Sequence, residues 1–151
     1  MTKTGYALFS DKVLIDCGLL KTSTKTDNKL ETMYRQVKQL VGKSFVDVIV
    51  LEDVQYQSNQ QTYKKLSMLL GYLLSIADDF NIGKEILTPT QWRTTLAIPL
   101  RNENNKPFKR VQLKELSIQK VRELTGKELQ EDTAEAVCIG LAYLTKEGLL
   151  L

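Results

Sequence analysis

The sequence predicts an α/β protein in which helices surround one sheet, and three features of the 151-residue chain support this fold class. Short β-branched runs alternate with longer segments whose apolar residues recur every three or four positions, as in amphipathic helices. A two-residue polar turn joins the first two predicted strands as a β-hairpin. No apolar run reaches the ~18 residues of a membrane-spanning helix. We interpret residues 1–151 as a single domain.

The first half of the chain is predicted to contain a hairpin, a helix and a strand. In order, these are strands at 5–10 and 13–20 joined by Asp11-Lys12, a helix over 27–41, and a strand over 45–51. Gly42 is expected to stop the helix, since glycine is common just past helix ends. The strand Phe45–Leu51 is rich in β-branched residues, which is typical of a strand buried on both faces of a parallel sheet.

The second half is predicted to be mainly helical. In order, it contains a helix over 62–77, a short strand over 85–87, a helix opened by Thr88-Pro89, a mobile loop over 99–108, and helices over 109–124 and 132–146. The helix Thr62–Ala77 is apolar on more than one stripe, so it is either central to the core or buried against a second subunit. Gly126 is expected to end the helix that precedes it, and Trp92 is expected to pack inside the protein rather than contact a ligand.

Composition excludes several kinds of catalytic site. There is no histidine, so neither a Ser-His-Asp nor a Cys-His pair can form, and mixed Cys/His zinc sites are excluded too. The net charge of +3 is a weak hint of an anionic partner. Cys17 and Cys138 lie in apolar runs, which is typical of buried, reduced thiols in a cytoplasmic protein. Hydrolytic chemistry would have to use carboxylates, lysines or a carboxylate-bound metal.

Glu52 is the first candidate for such chemistry. It ends the predicted strand Val48–Leu51, and functional groups of open α/β sheets collect at the carboxyl ends of strands. Because side chains alternate along a strand, Glu52 and Asp53 should face opposite sides. A strand-end acid pointing into solvent is an equally good interpretation of Glu52 taken alone.

A second acidic group opens the last predicted helix. Asp132 and Glu135 are three residues apart and would share one helical face. Asp-x-x-Glu before an apolar run is also a capping box, in which Asp132 would be the N-cap. If Asp132 instead lies inside the helix, two like charges on one face need a cation to relieve their repulsion.

Four segments carry a resemblance to a known family; in order, they are Thr4–Leu8 (TGYAL), Val50–Val54 (VLEDV), Pro89–Arg93 (PTQWR) and Asp132–Gly140 (DTAEAVCIG). Their order, their spacing and their placement at strand and helix ends resemble the RuvC-type Holliday junction resolvases of the ribonuclease-H-like superfamily, especially the small phage versions. The resemblance covers nearly the whole chain. It implies a ribonuclease-H-like mixed sheet flanked by helices on both faces.

The resemblance also implies four carboxylates that hold divalent metal ions. Glu52 matches the acid that ends a buried strand, and Asp132 and Glu135 match the pair on the final helix. Family members usually carry Asp at the last position, so Glu135 keeps the charge but reaches one carbon farther. The implied cofactor is Mg²⁺, for which Mn²⁺ can substitute, and its chemistry is activation of a water and stabilisation of the leaving 3′ oxygen.

The fourth carboxylate is the main departure from the family pattern. The pattern places an Asp on a first strand several residues before Gly5, and the printed sequence begins later than that. We expect a natural start farther upstream, and we expect the printed chain to be less stable and slow or inactive as a nuclease. Asp11, in the hairpin turn, and Asp16, within the second strand, are not simple substitutes.

Basic residues in and after the loop over 99–108 are the candidate DNA contacts; they are Lys106, Lys109, Arg110, Lys114, Lys120 and Arg122. This cluster would bind the phosphates of DNA, although without the family context a solvated helix face explains it equally well. Lys120 and Lys127 are near Asp132 in sequence and could contact the scissile phosphate. The resemblance implies, more weakly, that the aromatic ring of Tyr56 wedges at a DNA branch point.

The leading hypothesis is a Mg²⁺-dependent endonuclease that resolves four-way DNA junctions as a homodimer in the cytoplasm, without a small-molecule cofactor or a membrane. The helix Thr62–Ala77 is the candidate dimer interface. A junction-binding protein that does not cleave, because the first-strand Asp is absent, is one alternative. A related nuclease acting on structured RNA is another. A restriction-type nuclease is disfavoured, because Glu52 is followed by Asp53-Val54 rather than by x-Lys.

Overall fold

The computed structural model describes residues 3–23 and 28–150. In these ranges the elements are, in order, β1 (Lys3–Ser10), β2 (Val13–Lys21), α1 (Lys29–Ser44), β3 (Val48–Glu52), α2 (Gln60–Asp79), β4 (Gly83–Leu87), α3 (Pro89–Thr95), α4 (Arg110–Thr125) and α5 (Glu131–Lys146). They fall into two compact units, the first over Leu20–Thr88 and the second over Thr4–Leu19 with the chain from Pro89 onward. None of the helices in the described ranges is long and apolar enough to cross a membrane.

The first unit is built on a parallel pair of strands. β3 and β4 pair in register from Val48 opposite Gly83 to Glu52 opposite Leu87, which confirms the predicted parallel arrangement. α1 and α2 pack against each other, and α2 packs against both strands. The core side chains are Met33, Val37, Val41, Ile49, Leu69, Leu73, Ile76 and Ala77. Hydrophobic contact between these helices and strands therefore fixes the position of the β3 end.

Two predictions for the first unit are wrong in detail. α1 continues past Gly42 to Ser44 and ends at Phe45, which adopts a left-handed conformation (φ 52°) and is 92% exposed. A side chain at Gly42 would approach the ring of Phe80 to 3.3 Å, so this glycine permits close packing rather than ending the helix. β3 is also less buried than expected, with Ile49 its one buried residue. At Gly42, packing against Phe80 has overridden the local tendency of glycine to end a helix.

The second unit contains the hairpin, and β1 packs against α5. Asp11 and Lys12 have positive φ angles of 49° and 72°, as the two-residue turn requires. A Cβ atom at Gly5 would lie 2.0 Å from the backbone oxygen of Asp132, so only glycine fits there. A Cβ atom at Gly140 would lie 2.2 Å from the Phe9 ring. Two close approaches therefore hold β1 to the helix that carries the predicted carboxylate pair.

Three helices form the rest of the second unit. α3 begins at Pro89 as predicted, and Trp92 is completely buried, which confirms its packing role. α5 packs against both α3 and α4. α4 ends at Gly126, which adopts the left-handed conformation (φ 75°) predicted for a terminating glycine. The buried side chains of α5 include Ala134, Val137, Cys138 and Leu141.

The segment over 99–108 is more regular than its sequence predicts. Arg101 and Pro107 form an isolated antiparallel bridge. The side-chain oxygen of Asn102 accepts hydrogen bonds from the backbone N–H groups of Asn104 (2.9 Å) and Lys106 (3.0 Å). These contacts define a local turn, which asparagine favours because its side chain mimics a backbone carbonyl.

Strand pairing also differs from the single sheet that the sequence predicts. The described strands pair as two two-stranded sheets, β1 with β2 and β3 with β4. Periodicity identifies extended segments, but it does not report which extended segments share hydrogen bonds.

Candidate active site

Glu52 occupies the predicted position at the carboxyl end of β3. It is the last residue of the strand and pairs with Leu87 of β4. The next residue, Asp53, has a structural role: its N–H donates to the Leu87 carbonyl (2.9 Å) and its side chain accepts from the Val54 N–H (2.8 Å). The carboxylate of Asp53 is thus used to shape the loop after the strand.

The acidic pair in the second unit lies inside α5, not at its cap. The N-cap is Gln130, which makes no side-chain capping bond, so Glu131 and Asp132 are the first two helical residues. The capping-box interpretation of Asp132 is therefore wrong. The Asp132 and Glu135 side chains are 40% and 17% exposed. Two like charges lie one helical turn apart, which calls for a neighbouring positive charge.

Lys114 supplies one such charge. From α4, its ammonium lies 3.2 Å from Glu131 Oε2, 3.4 Å from Asp132 Oδ1 and 3.5 Å from Glu135 Oε1. Its side chain is only 14% exposed. Burial opposes the ammonium charge, but the charge of Glu135, together with Glu131 and Asp132, outweighs it, and the pKa of Lys114 lies above its ordinary value. The lysine therefore stays protonated at neutral pH.

Arg93 supplies the second charge from α3. Its guanidinium donates to Glu135 Oε2 at 3.2 Å and lies 4.5 Å from the centre of the Trp92 ring. Arg93 Nε is buried and has no acceptor among the residues that the structure describes. Each oxygen of Glu135 thus faces a different cation, Arg93 at one and Lys114 at the other. This arrangement fixes the orientation of the carboxylate.

Cys138 on α5 is buried, and its thiol is protonated at neutral pH. Burial raises the pKa of Cys138 to about 12, and the nearby charge of Glu135 acts in the same direction. Its Sγ lies 3.6 Å from the Ser117 carbonyl. Cys17 is half-buried, so the expectation of two fully buried thiols holds only for Cys138.

The donor chemistry of the acidic pair fits a hard divalent cation. Asp132 and Glu135 offer carboxylate oxygens, which Mg²⁺ and Mn²⁺ prefer. Across residues 3–23 and 28–150, no group of three or more acidic or thiol side chains converges to hold a metal ion. Asp132 and Glu135, in the second unit, are the residues whose oxygens could hold such an ion there.

The predicted DNA contacts divide into two groups. Lys106, Lys109 and Arg110 are exposed, in the turn over 99–108 and at the start of α4. Lys114 and Lys120 are largely buried; Lys114 faces the three acids of α5, and Lys120 lies 3.4 Å from Glu123. Tyr56 is 80% exposed and contacts Tyr63 edge to face, with ring centres 5.6 Å apart. The first group and Tyr56 are therefore accessible to a large anionic partner.

Sequence reasoning missed the two cations beside Glu135. It considered Lys120 and Lys127 because they are close to Asp132 along the chain, but the structure brings Lys114 there from 18 residues away. Arg93 is 42 residues from Glu135. The need for a cation follows from the like charges on α5, but its identity depends on how the helices pack.

The chain is similar in sequence and in structure to RuvC proteins. No family model matches the sequence. It is 23% identical over 137 residues to the crossover junction endodeoxyribonuclease RuvC of Fusobacterium nucleatum, covering 89% of this chain and 68% of that protein. It is also similar to the solved structure of Thermus thermophilus RuvC in complex with a Holliday junction substrate, with a TM-score of 0.71 and 17% identity, covering 90% of this chain and 79% of that one.

A second Thermus thermophilus RuvC structure gives a TM-score of 0.66 at 20% identity, covering 90% of this chain and 80% of that one. These likenesses confirm the α/β, ribonuclease-H-like fold class that the motifs imply.

Proposed function

Because the chain resembles the RuvC-type resolvases in sequence and in fold, we propose that it is a divalent-metal-dependent endonuclease acting on four-way DNA junctions. The observation that carries this proposal is the acidic pair of α5. Asp132 lies inside the helix rather than capping it, and its partner Glu135 is oriented by two cations. Neither carboxylate therefore stabilises α5 as its N-cap.

We assign Glu52, Asp132 and Glu135 as the metal-binding acids, with Mg²⁺ as the proposed ion and Mn²⁺ as a substitute. Carboxylate-bound Mg²⁺, when present, supplies activation of a water and stabilisation of the departing 3′ oxygen during phosphodiester hydrolysis. The protein's own part is to hold these oxygens. Burial and Arg93 fix Glu135, while β1 packs against the first turn of α5 and fixes Asp132.

The exposed basic residues are proposed to hold the DNA. Lys106, Lys109 and Arg110 can contact phosphates, which positions a duplex arm without reading its sequence. Tyr56 presents an exposed aromatic ring four residues after Glu52, and such a ring can stack on an unpaired base. Binding through phosphates should weaken steeply as salt rises.

We propose that the active form is a homodimer that uses α2. One side of α2 enters the core through Leu69, Leu73, Ile76 and Ala77. Other positions remain exposed although they carry large apolar side chains: Tyr63, Leu66, Met68 and Tyr72, each 36–46% exposed. A two-fold dimer would present two matched sites to a junction that itself has two-fold symmetry.

The dimer is tested by sedimentation of the wild type beside Leu66→Glu. The substitution should give a monomer, because it buries a charge in the proposed interface. Lys43→Glu, at an exposed position in the last turn of α1, is the matched control, and it should stay dimeric. A monomeric wild type at the concentrations used for cleavage would contradict the dimer.

The nuclease assignment is tested by incubating the protein with labelled four-way junctions, linear duplexes of the same sequence and structured RNA. Nicks at paired positions in opposite junction strands, with the duplex intact, are the expected result. Preferential cleavage of the RNA would transfer the assignment to the RNA-processing alternative.

A junction-binding protein that does not cleave is the second candidate. Two observations support it. Within the described ranges, no three metal-binding side chains converge, and the basic residues Lys106, Lys109 and Arg110 are exposed. It predicts a stable junction complex with and without Mg²⁺, and no nicks under any condition.

A further inference from the structure

Lys114 shares its ammonium among three acids in the first two turns of α5. The distances to the Glu131, Asp132 and Glu135 oxygens lie between 3.2 and 3.5 Å. The side chain is 14% exposed, whereas Glu131 and Asp132 are 57% and 40% exposed. The cation is thus the more buried member of each of these two pairs, and its position is set by the packing of α4 on α5.

Of the four carboxylate oxygens of Asp132 and Glu135, Lys114 contacts two and Arg93 a third. The Lys114 ammonium faces Asp132 Oδ1 and Glu135 Oε1, while the second oxygen of Glu135 is already bound by Arg93. A metal ion that binds Glu135 must therefore use an oxygen that already faces a cation, either Lys114 or Arg93. Either case places two positive charges close together at partly buried carboxylates, which is unfavourable.

We propose that Lys114 is an intramolecular counter-cation that holds Asp132 and Glu135 in place without metal and competes with the divalent ion for them. This inference rests on the proposed function, because it takes the two acids as metal ligands. Lys114 is then a positioning residue. It stabilises the metal-free protein against repulsion among the acids, and it raises the metal concentration at which the site fills.

A purely structural ion pair would behave differently. Removing it would destabilise the protein and would leave metal affinity unchanged or weakened, since the acids would lose their fixed positions. Competition predicts the opposite sign for metal affinity. The direction of the change in affinity therefore separates the two roles.

The experiment is a titration of free Mn²⁺, followed by its electron paramagnetic resonance signal, without DNA. Lys114→Met removes the charge and keeps most of the apolar stem. It should bind Mn²⁺ about tenfold more tightly than the wild type, because one unit of nearby positive charge is lost. Lys114→Arg should bind close to the wild-type affinity, since the charge is restored.

The matched control is Lys120→Met. Lys120 lies on the same helix, its side chain is 21% exposed, and it pairs with Glu123 rather than with the acids of α5. Its Mn²⁺ affinity should equal that of the wild type. If Lys114→Met does not fold, Lys114→Gln gives the same comparison with hydrogen-bond donors retained.

Thermal melting gives the second measurement. Without metal, Lys114→Met should melt below the wild type, and saturating Mn²⁺ should raise its Tm by more than it raises that of the wild type. Equal or weaker Mn²⁺ binding by Lys114→Met and Lys114→Gln, while wild-type binding is lost in Asp132→Asn, would overturn the inference and leave the metal site intact. No Mn²⁺ binding by any of these proteins would overturn the metal site itself, and the inference with it.

Discussion

The two regions that carry the candidate acids are organised by different physical means. Glu52 is positioned by backbone pairing, because it ends a strand whose register with β4 is fixed by hydrogen bonds. Asp132 and Glu135 are positioned by side-chain charge, with Lys114 and Arg93 brought from two other helices. The periodicity of apolar residues predicts directly where a strand ends, and so where Glu52 lies. It predicts only indirectly which cations helix packing brings to Asp132 and Glu135.

The largest effect is expected at Glu52. Glu52→Gln should abolish junction nicking and leave junction binding unchanged or tighter, because a proposed metal ligand and a negative charge are lost while phosphate contacts remain. Nicking rates and gel-shift affinities measure both. Asp53→Asn is the control, since its amide oxygen can still accept from the Val54 N–H, and it should nick normally. Nicking by Glu52→Gln within a few-fold of wild type would contradict the assignment.

The acidic pair on α5 should give nearly as large a loss of cleavage. Asp132→Asn and Glu135→Gln should each impair nicking strongly. Asp132→Asn should cost below about 1 kcal/mol of stability, because Asp132 is not the cap. Glu135→Gln should cost about 1–2 kcal/mol, because Arg93 loses its charged partner.

Glu131→Gln is the control for this pair, because Glu131 shares the turn and contacts Lys114 but is not assigned as a ligand. It should keep most of the activity. Stability losses that account for the whole loss of cleavage in the Asp132 and Glu135 variants would indicate a structural role instead.

Close packing of β1 on α5 makes Gly5 the next most sensitive position. Gly5→Ala places a methyl group 2.0 Å from the Asp132 carbonyl, so it should destabilise the protein by about 3 kcal/mol and shift the first turn of α5. Chemical denaturation measures the loss. Gly71→Ala in α2 is the matched control; with no atom within 4 Å, it should stabilise by about 0.5–1 kcal/mol. Equal stability of the two variants would contradict the packing described here.

The smallest effect concerns the two thiols of the second unit. A pKa of about 12 keeps Cys138 protonated at neutral and mildly alkaline pH, and its burial blocks access. A thiol reagent should therefore label Cys17 in the native protein and Cys138 only after unfolding. Rapid labelling of both thiols in the native state would show that the α4–α5 packing opens readily.

Much of the fold and part of the site follow from sequence patterns. Hairpin, helix order, the Pro89 start and the Gly126 end are local, and they are found as predicted. Glu52 follows from the end of an apolar run. The end of α1 at Phe45 does not, because the left-handed conformation is intrinsically unfavourable for an aromatic residue and local propensity argues against it. The contacts of Lys114 and Arg93 with Glu135 do not follow from sequence patterns either, because long-range packing brings these residues together.

The most direct test of the central claim is a Mg²⁺ titration of paired nicking on a four-way junction. It should compare the wild type with Glu52→Gln. We predict nicking that requires both Mg²⁺ and Glu52. Nicking that persists in the Glu52→Gln variant, or that does not depend on a divalent ion, would contradict the account.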